Sequence, residues 1–186
     1  PIMKPEDFKG RRIHASGVLG DAVAFLGASR SSLPTPEMYS ALERGLLDGM
    51  SLAYYALHSF KLHEISEWYT NGLELGIGVS MTIVNAQALE GLPPAYRKLM
   101  KDGVKPAMEA AVKAFEIDNV TALEDFRKRG LKEITISAEQ RDAFVRVAAA
   151  PVREAWIAEM EAKNIPGRKL LETIDEIANQ VKSKTH

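Results

Sequence analysis

Side chains that bind polar ligands alternate along one short segment near the start of the chain. Arg12, His14 and Ser16 are spaced two residues apart, and a β-strand places residues with this spacing on one face. They offer hydrogen-bond donors and a hydroxyl that also accepts. A glycine-spaced turn then leads into a predicted helix at residues 21–26, whose first amides favour an anion. This pattern predicts a corner that binds an anion or polar small molecule, although an ordinary strand-to-helix turn has the same pattern.

The four histidines do not predict a metal site. His58 and His63 are five residues apart, which would place them on different faces of a helix, and no third ligand has a suitable spacing beside them. The chain lacks a Gly-x-Ser-x-Gly elbow, a phosphate-binding P-loop and a dinucleotide fingerprint. It also contains no cysteine, which excludes disulfides and thiolate chemistry. We therefore predict no catalytic residue, no metal and no cofactor.

Charge and hydropathy argue against two further classes of protein. The 186 residues include 24 basic and 25 acidic side chains, and the formal net charge is −1. A chain without a basic field does not attract a phosphate backbone, so nucleic-acid binding is not predicted. No apolar run approaches the roughly 20 residues that a membrane-spanning helix needs.

The predicted corner is followed by a short amphipathic helix. Thr35 has the features of an N-cap, and Pro36 suits the first helical position. Met38, Leu42 and Leu46 then recur every four residues, which predicts a buried stripe.

Two further segments complete the first half of the chain. Residues 50–68 are apolar and compatible with a helix, in which Tyr54 and Tyr55 are predicted to line an aromatic pocket wall or to belong to the core. Residues 73–85 alternate weakly and end in a β-branched run at residues 82–84. This second pattern predicts a strand.

A long helical pattern dominates the second half. Pro93 and Pro94 open it, apolar residues step along it in threes and fours, and Gly130 suits the position just after its end. Pro106 lies inside the pattern and cannot donate its intrahelical hydrogen bond, so a kink is expected there.

The C-terminal third is predicted to contain a strand and two helices. Residues 131–136 form the strand, and a capping box with Ser137 as N-cap and Gln140 at the third helical position opens the next helix. Pro151 predicts a kink in that helix. A final amphipathic helix is predicted after Gly167.

The order of these motifs resembles one protein family. Its solute-binding proteins serve tripartite ATP-independent periplasmic (TRAP) transporters, and the present chain is similar to the DctP-like members. The matching segments occur in the family's order: Lys4-Pro-Glu-Asp-Phe-Lys-Gly10, Leu26-Gly-Ala-Ser29, Glu37-Met-Tyr39, Asp48-Gly49 and Leu92-Pro-Pro-Ala-Tyr-Arg-Lys98. No single one of these motifs is diagnostic, but the ordered set is.

The resemblance implies an α/β fold of the periplasmic-binding-protein type (type II-like). Residues 1–82 would form the second lobe of a two-lobe protein. Residues 83–186 would supply the strand that crosses back, a long kinked connecting helix and the C-terminal helices. The N-terminal lobe is expected to lie in a preceding part of the protein, because the match begins where the second lobe should begin.

The resemblance also implies a function and a set of ligand contacts. The protein would be the periplasmic component that captures a small organic solute and delivers it to the TRAP membrane permease subunits. The resemblance implies that this solute is an organic acid. Ligand-contacting positions would include Pro34, Thr35, Leu52 and Leu73. Together with the residues above, the predicted set is Arg12, His14, Ser16, Pro34, Thr35, Leu52, Tyr54, Tyr55 and Leu73.

His14 departs from the family pattern at an important position. Aligned through Lys9-Gly10, it occupies the place of an arginine that clamps the ligand carboxylate, and histidine cannot reproduce the two parallel hydrogen bonds of arginine. The ligand could lack a carboxylate, Arg12 could replace the clamp, the other lobe could supply it, or the protein could no longer bind a typical ligand. One branch of the family holds a cation through an acidic residue where this chain has Ser51, which argues against a metal.

A second interpretation remains open from the sequence. A cytoplasmic α/β enzyme or regulatory domain could have a similar order of elements, and the missing arginine favours it. A secretion signal and a first α/β lobe encoded upstream would belong to the binding protein alone.

Overall fold

The computed structural model describes residues 1–73, 75–76 and 81–184. Its first part is an α/β unit with a three-stranded parallel sheet in the order β2-β1-β3. Strand β1 is therefore central, and α1 and α2 provide the crossovers that parallel strands require. The elements are β1 (Arg12–His14), α1 (Gly17–Phe25), β2 (Ser29–Ser31), α2 (Thr35–Glu43), β3 (Gly49–Met50) and α3 (Tyr54–Ser59).

The second part joins a two-stranded parallel sheet to a series of helices. Its strands, β4 (Trp68–Asn71) and β5 (Lys132–Thr135), pair in parallel although they lie far apart in the sequence. The helices are α4 (Ala86–Glu90), α5 (Pro94–Lys128), α6 (Ala138–Phe144), α7 (Ala150–Ala162) and α8 (Gly167–Lys184). Within the described ranges, no helix has both the length and the apolar character needed to cross a membrane.

Two hydrophobic clusters hold these parts together. The larger one combines the first sheet and α1 with α6, since Ala15, Val23 and Phe144 are all fully buried in it. The smaller one consists of Tyr69, Ala122 and Phe126 and joins β4 to α5. Helix α6 is therefore part of the same core as the first sheet.

Both early helices begin at different residues from those predicted. Helix α1 begins at Gly17, four residues before the predicted start, and Ser16 is its N-cap. Helix α2 has Pro34 as N-cap, and no side chain caps it. Thr35 is therefore the first helical residue, and its predicted capping role is wrong. In the predicted stripe Met38 is buried, whereas Leu46 lies beyond the helix and is 60% exposed.

The segment predicted as one helix at residues 50–68 contains three elements. Helix α3 ends at Ser59, Lys61 adopts a left-handed conformation with φ 57°, and a 3₁₀ turn at Leu62–Ile65 follows. Strand β4 then begins at Trp68. The left-handed residue stops the helix because its backbone dihedrals do not permit helical hydrogen bonding to continue.

Helix α5 agrees with its prediction in extent. It starts at Pro94, contains Pro106, and ends just before Gly130, whose φ of +79° suits a residue without a Cβ. Much of its apolar stripe is exposed, however. Six of these side chains, Tyr96, Leu99, Met100, Val104, Met108 and Val112, have between 47% and 67% of their surface exposed. We refer to these six residues as the α5 stripe.

The C-terminal third also follows its pattern, with one addition. Ser137 Oγ accepts from the Gln140 amide at 3.2 Å, and Gln140 Oε1 accepts from the Ser137 amide at 2.9 Å, which confirms the capping box. A π-helical turn at Val145–Ala149 separates α6 from α7. Pro151, for which a kink was predicted, is the second residue of α7 and cannot donate a backbone hydrogen bond.

The predicted crossing strand is not present in the residues that can be assessed. Residues 81–85 have no strand structure, and Thr82, Ile83 and Val84 are exposed. Residues 74 and 77–80 of the same prediction lie outside the described part of the chain. A strand needs a neighbouring strand to satisfy its backbone hydrogen bonds, and residues 81–85 pair with none among the described residues.

Candidate functional site

The carboxyl ends of the three parallel strands meet at one edge of the first sheet. There the amide of Ser51 donates to the His14 carbonyl at 2.8 Å, and the amide of Ala15 donates to the Ser31 carbonyl at 3.0 Å. The hydroxyls of Ser16 and Ser32 are 3.4 Å apart. We call this edge, formed by Ser16, Ser32, Ser51 and Leu52, the carboxyl edge. Open α/β sheets bind ligands at such edges.

A cavity of about 920 Å³ begins at the carboxyl edge and extends between β1, α3, β4 and α5. Five of the nine predicted ligand contacts line it, namely Ser16, Leu52, Tyr54, Tyr55 and Leu73. Its size is within the range of small-molecule sites. The chain therefore places both predicted tyrosines and Ser16 around one space.

One wall of the cavity carries a connected set of polar side chains. Tyr54 donates to Asn71 Oδ1 at 2.7 Å, and Asn71 Nδ2 donates to Glu133 Oε1 at 2.8 Å. Tyr69 donates to Glu133 Oε2 at 2.7 Å. We call these four residues the Glu133 network. Because consecutive hydrogen bonds join these residues, the network fixes the orientation of Tyr54 and Asn71 at the cavity.

The network shifts the ionisation of its two acidic members. Burial, with the nearby Glu133 carboxylate as a second cause, raises the pKa of Tyr69 to about 12. The hydrogen bonds from Tyr69 and Asn71 lower the pKa of Glu133. At neutral pH the network thus contains a neutral phenol and an ionised carboxylate.

Tyr55 belongs to a second contact between α3 and α5. Its amide donates to Asn119 Oδ1 at 3.0 Å, and its ring lies 4.9 Å from the ring of Phe115. Asn119 itself lines the cavity. Helix α5 therefore supplies a polar group to the site, a contribution that its sequence pattern did not predict.

His14 does not present its side chain to the cavity. It is 1% exposed, and its Nδ1 accepts a hydrogen bond from the Leu33 amide at 3.2 Å. Burial lowers its pKa, so the ring is neutral at pH 7. The expectation that His14 lies on an accessible polar face is wrong, because the loop after β2 covers it.

Arg12 is engaged by Asp48. Its Nε and one terminal nitrogen donate to the two carboxylate oxygens at 3.0 and 2.8 Å, and its amide donates to the same group at 2.8 Å. These hydrogen bonds hold the pKa of Asp48 at about 2. Arg12 does not line the cavity, whereas the adjacent Arg11 does. Alternation places Arg11 and Ile13 on the same side, and this is the side that borders the cavity. The sequence signal for Arg11 was therefore its position next to Arg12 on the opposite face.

The Arg12–Asp48 pair predicts a loss of stability in acid. Because the Asp48 pKa is lower in the folded protein than the ordinary 3.8, its contribution is present above pH 3.8 and is lost as the pH falls towards about 2. Asp48→Asn should remove this part of the pH dependence, measured as the midpoint of thermal unfolding. Asp21→Asn, which removes an exposed ion pair with Arg30, should retain it. Identical profiles for the wild type and Asp48→Asn would contradict the prediction.

Pro34 and Thr35 lie at the start of α2, close in sequence to the carboxyl edge. Both are exposed, and neither lines the cavity. The same loop carries Ser32, which contacts Ser16, and Leu33, which contacts His14. Ligand contact by Pro34 and Thr35 stays a prediction.

The geometry of the histidines differs from the prediction. His58 and His63 are not on two faces of one helix, since the left-handed Lys61 separates α3 from the 3₁₀ turn. Their rings stack with centroids 4.9 Å apart, and Asp125 of α5 lies beside both. The predicted absence of a third ligand is therefore wrong.

A family match covers most of the chain. Residues 1–159 match DctP, the bacterial extracellular solute-binding protein, family 7. The chain belongs to this family. Its membership confirms the resemblance inferred from the motif order and favours a binding protein of a transporter over an enzyme or regulatory domain.

Two curated relatives show how much of a whole family member the chain represents. The C4-dicarboxylate-binding periplasmic protein DctP of Rhodobacter capsulatus is 28% identical over 172 residues, covering 91% of this chain and 51% of that protein. The ectoine-binding periplasmic protein TeaA of Halomonas elongata is 26% identical over 198 residues, covering 100% and 54%. The chain spans about half the length of the curated relatives it matches.

Solved structures confirm the fold class. The chain is similar, with a TM-score of 0.84 and 22% identity, to a TRAP solute binding protein from Rhodoferax ferrireducens in complex with copurified benzoate, covering 100% of this chain and 59% of that one. A TRAP periplasmic solute binding protein from Bordetella bronchiseptica with bound mandelate gives a TM-score of 0.80 at 22% identity, with coverages of 97% and 58%. The DctP-family chain therefore has the α/β architecture of these binding proteins.

Proposed function

We propose that this DctP-family chain is the ligand-binding second lobe, with the connecting helices, of a TRAP solute-binding protein. The cavity that begins at the carboxyl edge is the observation that carries the proposal. In the whole protein a small organic acid would bind there and be delivered to the membrane permease subunits. The names of the family and of the relatives support a periplasmic location.

The lining of the cavity favours an aromatic monocarboxylic acid. Tyr54 and Tyr55 provide an aromatic surface, and Ser16 provides a hydroxyl. Arg11 is the cation on the wall, and its guanidinium donates a long hydrogen bond of 3.4 Å to the Asp7 carbonyl. A carboxylate is a stronger acceptor than this carbonyl. Structural relatives with bound benzoate or mandelate support this ligand class.

The proposed contacts comprise two groups. Ser16, Leu52, Tyr54, Tyr55 and Leu73 line the cavity and would contact the solute directly. Four predicted contacts lie outside the lining, and each could touch the solute only if the solute extended beyond the cavity: Arg12, His14, Pro34 and Thr35.

The α5 stripe supports the presence of a partner lobe. Large apolar side chains exposed along one helix lose favourable burial energy unless another surface covers them. The curated relatives are about twice as long as the matched part of this chain. We propose that the N-terminal lobe of the same protein packs against the stripe.

The function is tested by thermal unfolding of the full-length protein with a panel of organic acids, aromatic acids and polyols. A ligand that binds the folded state raises the unfolding temperature in proportion to the logarithm of its concentration. We expect benzoate-like acids to raise it and polyols to leave it unchanged. A panel without any response would overturn the proposal.

Two adjacent arginines provide a sharper test of the anchor. Arg11→Gln should weaken binding of the stabilising acid by about tenfold or more, because a hydrogen bond to a charged group contributes about 1.5–3 kcal/mol. Arg12→Gln also removes one positive charge, but Arg12 already forms an ion pair with Asp48, so its effect on affinity should be much smaller. Titration calorimetry measures both. A larger loss for Arg12→Gln would instead support Arg12 as the replacement for the family arginine.

A further inference from the structure

Three potential metal ligands meet where the 3₁₀ turn packs against α5. Nε2 of His63 is 3.1 Å from Asp125 Oδ2, and Nε2 of His58 is 3.5 Å from the same oxygen. The ligand atoms of the three residues all lie within 4.8 Å of one another. Imidazole nitrogens and a carboxylate oxygen are the ligands that zinc takes in proteins other than thiolate.

The fold, rather than sequence spacing, brings these groups together. The left-handed Lys61 turns the chain so that His63 stacks on His58, and α5 presents Asp125 from the opposite side. Nδ1 of His63 lies 3.4 Å from the Leu57 carbonyl, so a proton on Nδ1 would direct Nε2 towards Asp125. Such an outer hydrogen bond orients histidine ligands in metal sites.

Two of the three separations between ligand atoms suit a tetrahedral ion. Ligands at zinc-to-ligand distances of 2.0–2.1 Å are separated from one another by about 3.3–3.4 Å. The separations of the two histidine nitrogens from Asp125 Oδ2, 3.1 and 3.5 Å, lie on either side of this value, and the two nitrogens lie within 4.8 Å of each other. His63 is 5% exposed, whereas His58 and Asp125 are 36% and 37% exposed. An ion could therefore enter from solvent and keep one position for water.

The charges around the cluster permit a cation but also provide a competitor. Asp125 and Glu64 are both acidic, and Arg129 contacts both of their carboxylates. Arg129 Nε is 3.7 Å from Asp125 Oδ2, so the guanidinium must release this contact when an ion binds. It retains Glu64 as a partner at 3.4 Å.

We propose that His58, His63 and Asp125 bind one divalent transition-metal ion of the zinc class. The ion links α3 and the 3₁₀ turn to the long helix α5. It therefore adds a contact between the segment that follows the first sheet and this helix. This site goes beyond the proposed solute binding and does not depend on it. Two nitrogen ligands favour zinc over magnesium and calcium, which prefer oxygen.

Titration calorimetry of the chelator-treated full-length protein with Zn²⁺ tests the site. We expect saturable binding of one ion and a higher unfolding temperature in its presence. His58→Ala and Asp125→Asn should each weaken this binding by about tenfold or more, since even outer-shell changes cost about 10–100-fold. Asp102→Asn, on an exposed part of α5, should leave it unchanged.

Two further measurements separate metal binding from a purely structural role of the cluster. His58→Ala should retain the unfolding temperature of the metal-free wild type within a few degrees, because His58 is partly exposed. Arg129→Gln should tighten Zn²⁺ binding several-fold by removing the competing cation. The proposal is overturned if Zn²⁺ does not bind saturably, if the ligand variants bind as tightly as the controls, or if Mg²⁺ and Ca²⁺ bind equally well.

Discussion

Replacing Phe126 with alanine should lower the free energy of unfolding by about 3–5 kcal/mol, the usual cost of removing a buried phenyl ring. Phe126 is 0% exposed and lies at the centre of an aromatic cluster. The rings of Tyr69, His63 and Tyr54 are 5.3, 5.4 and 6.4 Å away. Truncation would leave a void between α5 and β4, which the surrounding rings can close only in part.

Phe25→Ala is the matched control. Phe25 is 48% exposed on α1, so the same chemical change should cost less than about 1.5 kcal/mol. Denaturant unfolding of the full-length protein measures both variants. Because Tyr54 rests on Phe126 and also lines the cavity, Phe126→Ala should in addition reduce the stabilisation by a bound acid. Equal losses for the two variants would contradict the role of Phe126 as the anchor of α5.

Elements governed by local signals could be predicted from the sequence. Helix α5 has paired prolines at its start and a glycine just after its end, and these residues act through dihedral preferences and hydrogen bonds near their own positions. The same holds for the capping box at Ser137, which involves residues three apart. Neither signal depends on the rest of the fold.

Strand β4 could not be predicted in this way. Its four residues follow an apolar segment without a glycine or proline to separate them, and its strand conformation depends on pairing with β5. Pairing between segments so distant in sequence leaves no local periodicity. The same limitation explains the histidine cluster, since a single left-handed residue, Lys61, changes the relative orientation of two side chains that a continuous helix would separate.

The site was predictable in its residue types but not in the direction of each side chain. Alternation correctly separates the Arg12 and His14 side of β1 from the Arg11 and Ile13 side. It does not reveal which side borders the cavity, because β1 is the central strand of a parallel sheet and the alternation is the same for either face. The loop after β2 buries His14, and Asp48 forms an ion pair with Arg12. Arg11 consequently becomes the cation at the cavity.

Replacing Glu133 with alanine should lower the free energy of unfolding by about 2–4 kcal/mol, because two donors that are shielded from solvent would lose their acceptor and each buried unsatisfied group costs about 1–3 kcal/mol. These donors are the Tyr69 hydroxyl, on a residue that is 6% exposed, and Asn71 Nδ2. Glu124→Ala is the control. The Glu124 side chain is 58% exposed, and it forms a long ion pair with Lys128 Nζ at 3.9 Å. Its loss should stay within about 0.5 kcal/mol.

The pH dependence of the unfolding free energy tests whether the Glu133 network accounts for this loss of stability. The Tyr69 pKa is raised from 10.0 to about 12, so its contribution is present below pH 10 and is lost as the pH rises towards 12. The Glu133 pKa is lowered from 4.5, so its contribution is present above that pH and is lost as the pH falls below it. Glu133→Gln should remove the acid loss and reduce the alkaline one, part of which remains because burial is the main cause of the Tyr69 shift. Unfolding curves of Glu133→Gln that match the wild type at both extremes would mean that the carboxylate does not hold the cavity wall.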